Sequence, residues 1–140
     1  MASPIEFFND VCPNEGVQRY ILGHARPRAH VEVGAFFPRG TEAKRFLIWP
    51  DEIEIPLRAC ADARGPNPQE RHEAGLLLGK TADVAVGSHI STNRRSAGER
   101  CVWFHRVSKN GEQLGKWLML VGDQIDCLER ALAWLASVST

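Results

Sequence analysis

The stretch that decides the fold is Gly111–Ala136, GEQLGKWLMLVGDQIDCLERALAWLA, which predicts a turn, a strand and a closing amphipathic helix. An earlier stretch, Gly40–Ala61, GTEAKRFLIWPDEIEIPLRACA, has a similar chemical pattern 71 residues before it. A turn glycine and a cation followed by an aromatic residue recur at this offset. Internal self-similarity predicts a fold built from related units. We therefore expect two pseudo-repeated halves, each an antiparallel sheet followed by a helix.

The expected fold class is α+β, with both halves packed as a single domain over residues 1–140. We predict a first half at residues 17–63, a linker at 64–73 and a second half at 74–138. The linker is rich in proline and glycine, which interrupt regular structure. Residues 1–16 form a lead-in, where Ser3 and Pro4 favour a short helical turn.

Pro56 makes the first helix the least regular part of the pattern, because a proline inside a helix costs about 3 kcal/mol or more. The preceding Pro50-Asp51-Glu52 has the composition of a helix start. Two readings stay open. The helix begins at Pro56, after a strand that continues through Ile55, or it is kinked there.

Composition excludes several classes of protein. Hydrophobic residues make up 44% and charged residues 24%, which is typical of a globular domain. Four cysteines without a CxxC pair predict buried free thiols rather than a disulfide frame or a zinc site. The chain shows neither a signal peptide nor an apolar run of about 20 residues that would span a bilayer. We expect a cytoplasmic protein, or a nuclear or organellar one in a eukaryote, without membrane contact.

The charges balance in total, with 17 basic and 17 acidic residues, but they are unevenly distributed. Residues 19–45 contain six basic and two acidic residues, and so do residues 94–116. The predicted helical segments carry the compensating acidic residues. Aromatic residues are interleaved with these basic residues. Basic strands with aromatic rings suit single-stranded nucleic acid, because cations contact phosphates and rings stack on bases.

Strand alternation assigns these side chains to faces. One face, with Val31, Phe46, Ile48, Val102, Phe104 and Trp117, is expected to pack on the helices. The opposite face would hold His30, Arg45, Leu47, Trp49, Trp103, His105 and Lys116. On that face and its loops, the predicted nucleic-acid contacts are the stacking rings and the cations beside them: Arg26, Arg28, Phe37, Arg39, Lys44, Arg45, Trp49, Arg94, Arg95, Arg100, Trp103, His105, Arg106, Lys109 and Lys116.

Two sheet-then-helix halves with basic, aromatic strands resemble the Pur-alpha repeat proteins, and more loosely the Whirly and transcriptional-coactivator single-stranded-DNA-binding domains. The residues that carry the resemblance are Gly40–Phe46 beside Gly111–Trp117, within residues 17–137. The resemblance implies four antiparallel strands and a helix in each unit, packed around a pseudo-twofold axis. It also implies that bases lie across the curved sheets.

Other functions stay open. The same face could serve protein interaction or self-association into a homodimer, which salt would weaken far less than phosphate binding. A third alternative is a small nucleotide-binding or hydrolytic enzyme, because Ala74–Thr81, AGLLLGKT, fits a relaxed phosphate loop. Its three leucines instead favour an apolar strand entering a turn. We find no nucleophile or metal-ligand signature, so we expect neither catalysis nor a cofactor or metal.

Overall fold

The structure, a computed structural model, describes residues 3–11, 17–36, 43–66, 68, 71–74, 83–91, 97–107 and 113–139. Eight strands and two α-helices lie in this part of the chain. In chain order they are β1 Ile5–Val11, β2 Gln18–His24, β3 His30–Phe36, β4 Ala43–Ile48, a 3-10 helix Pro50–Glu52, α1 Glu54–Ala63, β5 Arg71–Ala74, β6 Asp83–Ile90, β7 Arg100–Val107, β8 Gln113–Val121 and α2 Asp123–Val138.

The strands form two antiparallel sheets in which neighbours in sequence are neighbours in space. The first sheet has the order β1-β2-β3-β4 and the second has the order β5-β6-β7-β8. Each sheet is followed in the chain by a helix, α1 after the first sheet and α2 after the second. The predicted α+β class is therefore confirmed.

Each helix packs on the sheet of the other half. Helix α1 contacts β5, β6 and β7, and α2 contacts β1, β2 and β3. On the second sheet, the hydroxyl of Ser88 donates a hydrogen bond to the carboxylate of Asp62 in α1. On the first sheet, the ring of Trp134 in α2 lies 5.9 Å from the ring of Phe7. Because each helix packs on the sheet of the other half, an arrangement we call the exchange of helices, the two sheets and two helices form one packing unit.

The helix-packed faces of both sheets meet in one continuous core. The rings of Phe46 in β4 and Phe104 in β7 are stacked with centroids 5.7 Å apart, and both are buried. The apolar face of α2, with Leu128, Leu132 and Leu135, is buried in the same core. Alternation predicted this core face of both sheets, and burial confirms it for Val31, Phe46, Ile48, Val102 and Phe104.

The lead-in at residues 1–16 and the linker at residues 64–73 were expected to lie outside the sheets, but both contribute strands. Residues 5–11 of the lead-in form β1, which pairs with β2, so the predicted helical turn at the N-terminus was wrong. Strand β1 holds Phe7 against Trp134, so burial of an aromatic ring favours the extended conformation. Residues 71–73 of the expected linker, together with Ala74 of the expected second half, form β5, which pairs with β6.

The first helix begins at Glu54, two residues before Pro56, and neither predicted reading had this start. Pro56 is therefore in the first turn, where backbone N–H groups have no partner within the helix. The missing N–H costs little there, so the helix does not need a kink. The buried proline ring packs on the inner side of α1.

Two cysteines confirm the expected buried thiols. Cys60 in α1 and Cys101 in β7 are buried and free, and burial raises the pKa of each thiol to about 12. Cys127 is a free thiol at partial exposure, and Cys12 lies outside the described residues. Within the described ranges, neither helix combines the length and hydrophobicity that crossing a membrane would require.

Candidate nucleic-acid interface

The first sheet has an outer face, which we define as the face of β1–β4 opposite the helices. Strand register places its residues in rows across β2, β3 and β4, about 6.7 Å apart along the strands. The rows are Gln18, Phe36 and Ala43; Tyr20, Gly34 and Arg45; Leu22, Glu32 and Leu47; and His24 with His30, beside which Trp49 lies after β4.

The carboxylate of Glu32 lies at the centre of this outer face. Its Oε2 accepts a hydrogen bond of 2.7 Å from the Tyr20 hydroxyl and is 3.4 Å from Nε of Arg45. Its Oε1 is 2.9 Å from Nε2 of His24, which must be the donor because a carboxylate only accepts. The Glu32 side chain is 14% exposed, so these contacts compensate for the loss of water around a charge.

Tyr20 has its ring flat across β3 because its cross-strand neighbour is Gly34. A Cβ atom at Gly34 would lie 2.3 Å from the Tyr20 ring, so only glycine leaves space for it. The ring stacks on Phe36 with centroids 5.4 Å apart. Burial, reinforced by the hydrogen bond to Glu32, raises the pKa of the Tyr20 hydroxyl, which therefore stays a proton donor.

A second group of rings lies at the other end of the outer face. The imidazoles of His24 and His30 are stacked with centroids 4.8 Å apart, and His30 lies 4.7 Å from Trp49. The Arg28 guanidinium is 5.1 Å from the centroid of the Trp49 ring, within cation–π range. Nδ1 of His30 lies 2.7 Å from the carbonyl oxygen of Arg28 and donates to it. This hydrogen bond fixes the orientation of the imidazole beside Trp49.

Exposed groups border the buried centre of the outer face. Phe36 is 49% exposed, the Arg45 side chain is 60% exposed, and Trp49 is partly exposed. Arg26 and Arg28 are exposed in the turn between β2 and β3, although Arg28 also lies 3.6 Å from the carboxylate of Asp51. Three of the predicted contact residues, Arg28, Arg45 and Trp49, are thus brought together at this face, and Arg26 is exposed in the adjoining turn.

The second sheet presents a different outer face, and the prediction of an exposed stacking ring there was wrong. Alternation assigned Trp103 and His105 to the face opposite the core correctly. Trp103, however, is only 5% exposed and His105 only 1%. Trp103 packs in a second apolar cluster with Ala85, Cys101 and Val107, and it stacks on His105 at 4.9 Å. A buried ring has no surface on which a base could stack.

The arginines of β7 are directed toward the core side of the second sheet. Arg100 donates to the carbonyl oxygens of Ala63 and Gly65 at the end of α1. These carbonyls lack partners within the helix, so the cation serves as a C-terminal cap. The Arg106 guanidinium lies 6.0 Å from the Phe46 ring centroid. Neither arginine joins the outer face of the first sheet.

Several predicted contacts lie outside what the structure describes. Lys44 is in β4 and Lys116 is in β8, but their side chains are not described, nor is that of Trp117. The remaining predicted contacts lie in segments that the structure does not describe: Phe37, Arg39, Arg94, Arg95 and Lys109. Most residues of the relaxed phosphate loop at 74–81 also lie outside the described ranges.

Sequence reasoning missed the centre of the outer face. The residues at this centre that were not among the predicted contacts are Tyr20, His24, Glu32, Gly34 and Phe36. Alternation along β2, QRYILGH, could have shown that Tyr20 and His24 share a face. The glycine opposite Tyr20 could not be identified without the strand register.

Comparisons of the chain with protein-family models, curated proteins and solved structures found no match. The likeness to the Pur-alpha and Whirly groups therefore stays a prediction from the sequence. In the described ranges, no group of three histidine, cysteine or acidic side chains has a geometry that could hold a metal ion.

Proposed function

We propose that the protein binds single-stranded DNA or RNA across the outer face of the first sheet. The observation that carries the proposal is the presence of two ring groups on this one face, Tyr20 with Phe36 and the histidine pair with Trp49. Exposed arginines lie beside both groups. Aromatic rings that stack on bases, beside cations that contact phosphates, are the usual elements of a single-strand platform.

Phe36 and Trp49 are the rings with surface available for stacking. Each base stacked on such a ring contributes about 1–3 kcal/mol to binding. Tyr20 supports Phe36 from below, and His30 supports Trp49, so both rings are held in place before a ligand arrives. A preorganised ring loses less conformational entropy on binding, which favours affinity.

Arg26, Arg28 and Arg45 would supply the charge that attracts the phosphates. Contacts of this kind release condensed counterions, so the affinity falls steeply as the salt concentration rises. The acidic residues of α2 lie on the other side of the first sheet, because α2 packs on its inner face. A nucleic-acid strand that follows the outer face therefore avoids the negative charge of α2, although Asp51 lies near Arg28 at the Trp49 end.

The test is fluorescence anisotropy of a labelled 12-nucleotide single strand, titrated with protein at about 50 mM and about 200 mM salt. We expect binding at the lower salt concentration and clear weakening at the higher one. Phe36→Ala should weaken binding by about 1–3 kcal/mol, because one stacked base loses its ring. Absence of binding at the lower salt concentration would remove nucleic acid as the ligand.

Two matched variants control for general effects of substitution. Leu57→Ala removes an exposed apolar side chain from α1, where Leu57 is 38% exposed. Arg58→Ala removes a cation whose side chain is 60% exposed, the same fraction as that of Arg45. We expect Arg45→Ala to weaken binding and Arg58→Ala to leave it unchanged. Equal losses of single-strand affinity in Arg45→Ala and Arg58→Ala would show that binding depends on overall charge and not on the outer face.

The second candidate function is self-association through the same face. The observation that favours it is the 49% exposure of Phe36, a large apolar ring on a sheet surface. Sedimentation velocity at two salt concentrations separates the candidates. An apolar dimer interface persists at higher salt and is lost in Phe36→Ala, whereas phosphate binding is weakened by salt.

A further inference from the structure

A carboxylate at the centre of a basic, aromatic face is not explained by phosphate binding. Glu32 lies between the row of Tyr20 and the row of His24 and His30, so both ring groups border it. A negative charge there repels phosphates from the middle of the sheet. Its place suggests contact with the part of a nucleotide that donates hydrogen bonds, which is the edge of a base.

The hydrogen bonds of Glu32 leave room for one more donor. An ionised carboxylate offers about four acceptor positions on its two oxygens. Among the described residues, Tyr20 and Arg45 contact Oε2, and His24 contacts Oε1. The remaining position is on Oε1, in a side chain that is 14% exposed. A donor that uses this position would have to approach it from solvent between the ring groups.

We propose that Glu32 makes this face select cytosine over uracil or thymine. A base stacked beside Trp49 or Phe36 would direct its edge toward the centre of the face. Cytosine carries an N4 amino donor, and carboxylates accept from it, whereas uracil and thymine carry the O4 acceptor at the same position. Two acceptors facing each other repel, so Glu32 both attracts one pyrimidine and disfavours the other. This inference rests on the proposed binding of single strands.

The same arrangement would orient the bound nucleic-acid strand on the sheet. The carboxylate keeps phosphates away from the central row, while Arg28 and Arg45 lie beside the two ring groups. Bases then face the sheet and phosphates lie toward its borders. Double-stranded DNA, whose base edges are already paired, would meet only the unfavourable charge of Glu32 at the centre.

The experiment compares two oligonucleotides whose bases differ at C4 and N3: cytosine carries an amino donor at C4 and an acceptor at N3, whereas uracil carries a carbonyl at C4 and an N–H donor at N3. Labelled dC12 and dU12 are titrated with the wild-type protein by anisotropy at one low salt concentration. Uracil replaces thymine so that the methyl group does not contribute. We expect dC12 to bind about fivefold more tightly than dU12, which corresponds to the roughly 1 kcal/mol that one base-edge contact contributes. This comparison needs no variant and so is independent of folding defects.

Two variants assign the preference to the carboxylate. Glu32→Gln keeps an acceptor but adds an amide donor that tolerates O4, so the ratio of affinities should fall to about one. Leu57→Ala, on α1 and away from the outer face, leaves the carboxylate and its partners in place, so the preference for dC12 should remain. Circular dichroism and a thermal melt check that each variant is folded.

The outcomes separate this inference from the proposed function. Binding of both oligonucleotides with equal affinity by the wild-type protein would overturn the selection of cytosine but leave single-strand binding intact. A preference for dC12 that survives in Glu32→Gln, or that is lost in Leu57→Ala as well, would also overturn it. Failure to bind either oligonucleotide at low salt would remove the proposed function itself.

Discussion

The outer faces of the two sheets differ in what surrounds their aromatic rings. Both sheets have four strands in sequential order, and a helix packs on the inner face of each. On the first sheet, Phe36 is 49% exposed and Trp49 is partly exposed. On the second sheet, Trp103 is 5% exposed and packs with Cys101. Equivalent faces of similar sheets thus use aromatic residues in two ways, one for a surface and one for packing.

The largest expected effect tests this contrast by removing one tryptophan from each face. Trp103→Ala should lower the free energy of unfolding by about 3–5 kcal/mol, because it leaves a cavity among buried side chains. Trp49→Ala should lower it by less than about 1.5 kcal/mol, since the ring is partly exposed and contacts mainly His30 and Arg28. Urea unfolding of both variants measures the difference.

Equal losses of stability in the two tryptophan variants would contradict the contrast. Conservative variants serve as controls, because Trp103→Phe and Trp49→Phe keep an aromatic ring at each site. Binding should respond in the opposite order to stability. Trp49→Ala should weaken single-strand affinity, while any folded Trp103 variant should bind as the wild-type protein does.

Gly34→Ala is expected to have the next largest effect, and it acts on the first sheet alone. The added methyl group would lie 2.3 Å from the Tyr20 ring, which must move away. We expect a loss of about 1–3 kcal/mol in unfolding free energy, as for other overpacked sites. The double variant Gly34→Ala/Tyr20→Leu should recover part of it, because the smaller side chain leaves space. Additive losses in the double-mutant cycle would contradict the close approach.

A smaller effect concerns Glu52, beside the Trp49 end of the outer face. Burial, followed by the nearby charge of Asp51, raises the pKa of Glu52 from 4.5 to about 7. The folded state therefore prefers the protonated acid. The contribution of protonated Glu52 to the unfolding free energy is complete below pH 4.5 and is lost as the pH rises through about 7.

Glu52→Gln removes this titration and should raise the unfolding free energy at pH 8 by up to about 1 kcal/mol, a modest gain because the group is partly solvated. At pH 4 the variant and the wild-type protein should be equally stable, since the acid is protonated in both states. Chemical denaturation at the two pH values gives the comparison. A variant that is less stable at pH 8 would show that the charged form of Glu52 is favourable.

The smallest expected effect lies away from both outer faces. Arg64 at the end of α1 contacts Asp126 and Glu129 of α2, which joins the two exchanged helices. Arg64→Ala should cost about 0.5–1 kcal/mol, because all three groups are solvent-accessible and salt screens them. Unfolding at high salt should erase most of the difference. A loss that salt does not reduce would indicate a packing contribution of the arginine side chain instead.

Much of the fold could be predicted from local patterns. Alternation identified β3, β4, β7 and β8, and three- and four-residue spacing identified α2. Alternation is a local property, so it also assigned Phe46 and Trp103 to the correct faces. Strand β1 was missed because the sequence Ile5–Val11 does not alternate between apolar and polar residues. Its extended conformation depends on pairing with β2.

The exchange of helices and the burial of Trp103 could not be predicted in the same way. Both depend on which distant segments cover a face, and a sequence pattern does not state its packing partner. The candidate site shows the same limit. Arg45 and Trp49 were predicted, but Tyr20 reaches Glu32 of β3 only through the pairing of β2 with β3, a contact between separate strands.

The measurement that tests the central claim most directly is ultraviolet cross-linking of a single-stranded 12-nucleotide probe, followed by mass spectrometry of the attached peptides. The account predicts cross-links at Phe36 and Trp49, the rings with exposed surface on the outer face of the first sheet. Cross-links should decline with increasing salt and disappear from Phe36 in the Phe36→Ala variant. Cross-links confined to β7, at Trp103 or its neighbours, would contradict the account, because they would place the ligand on the face where the rings are buried.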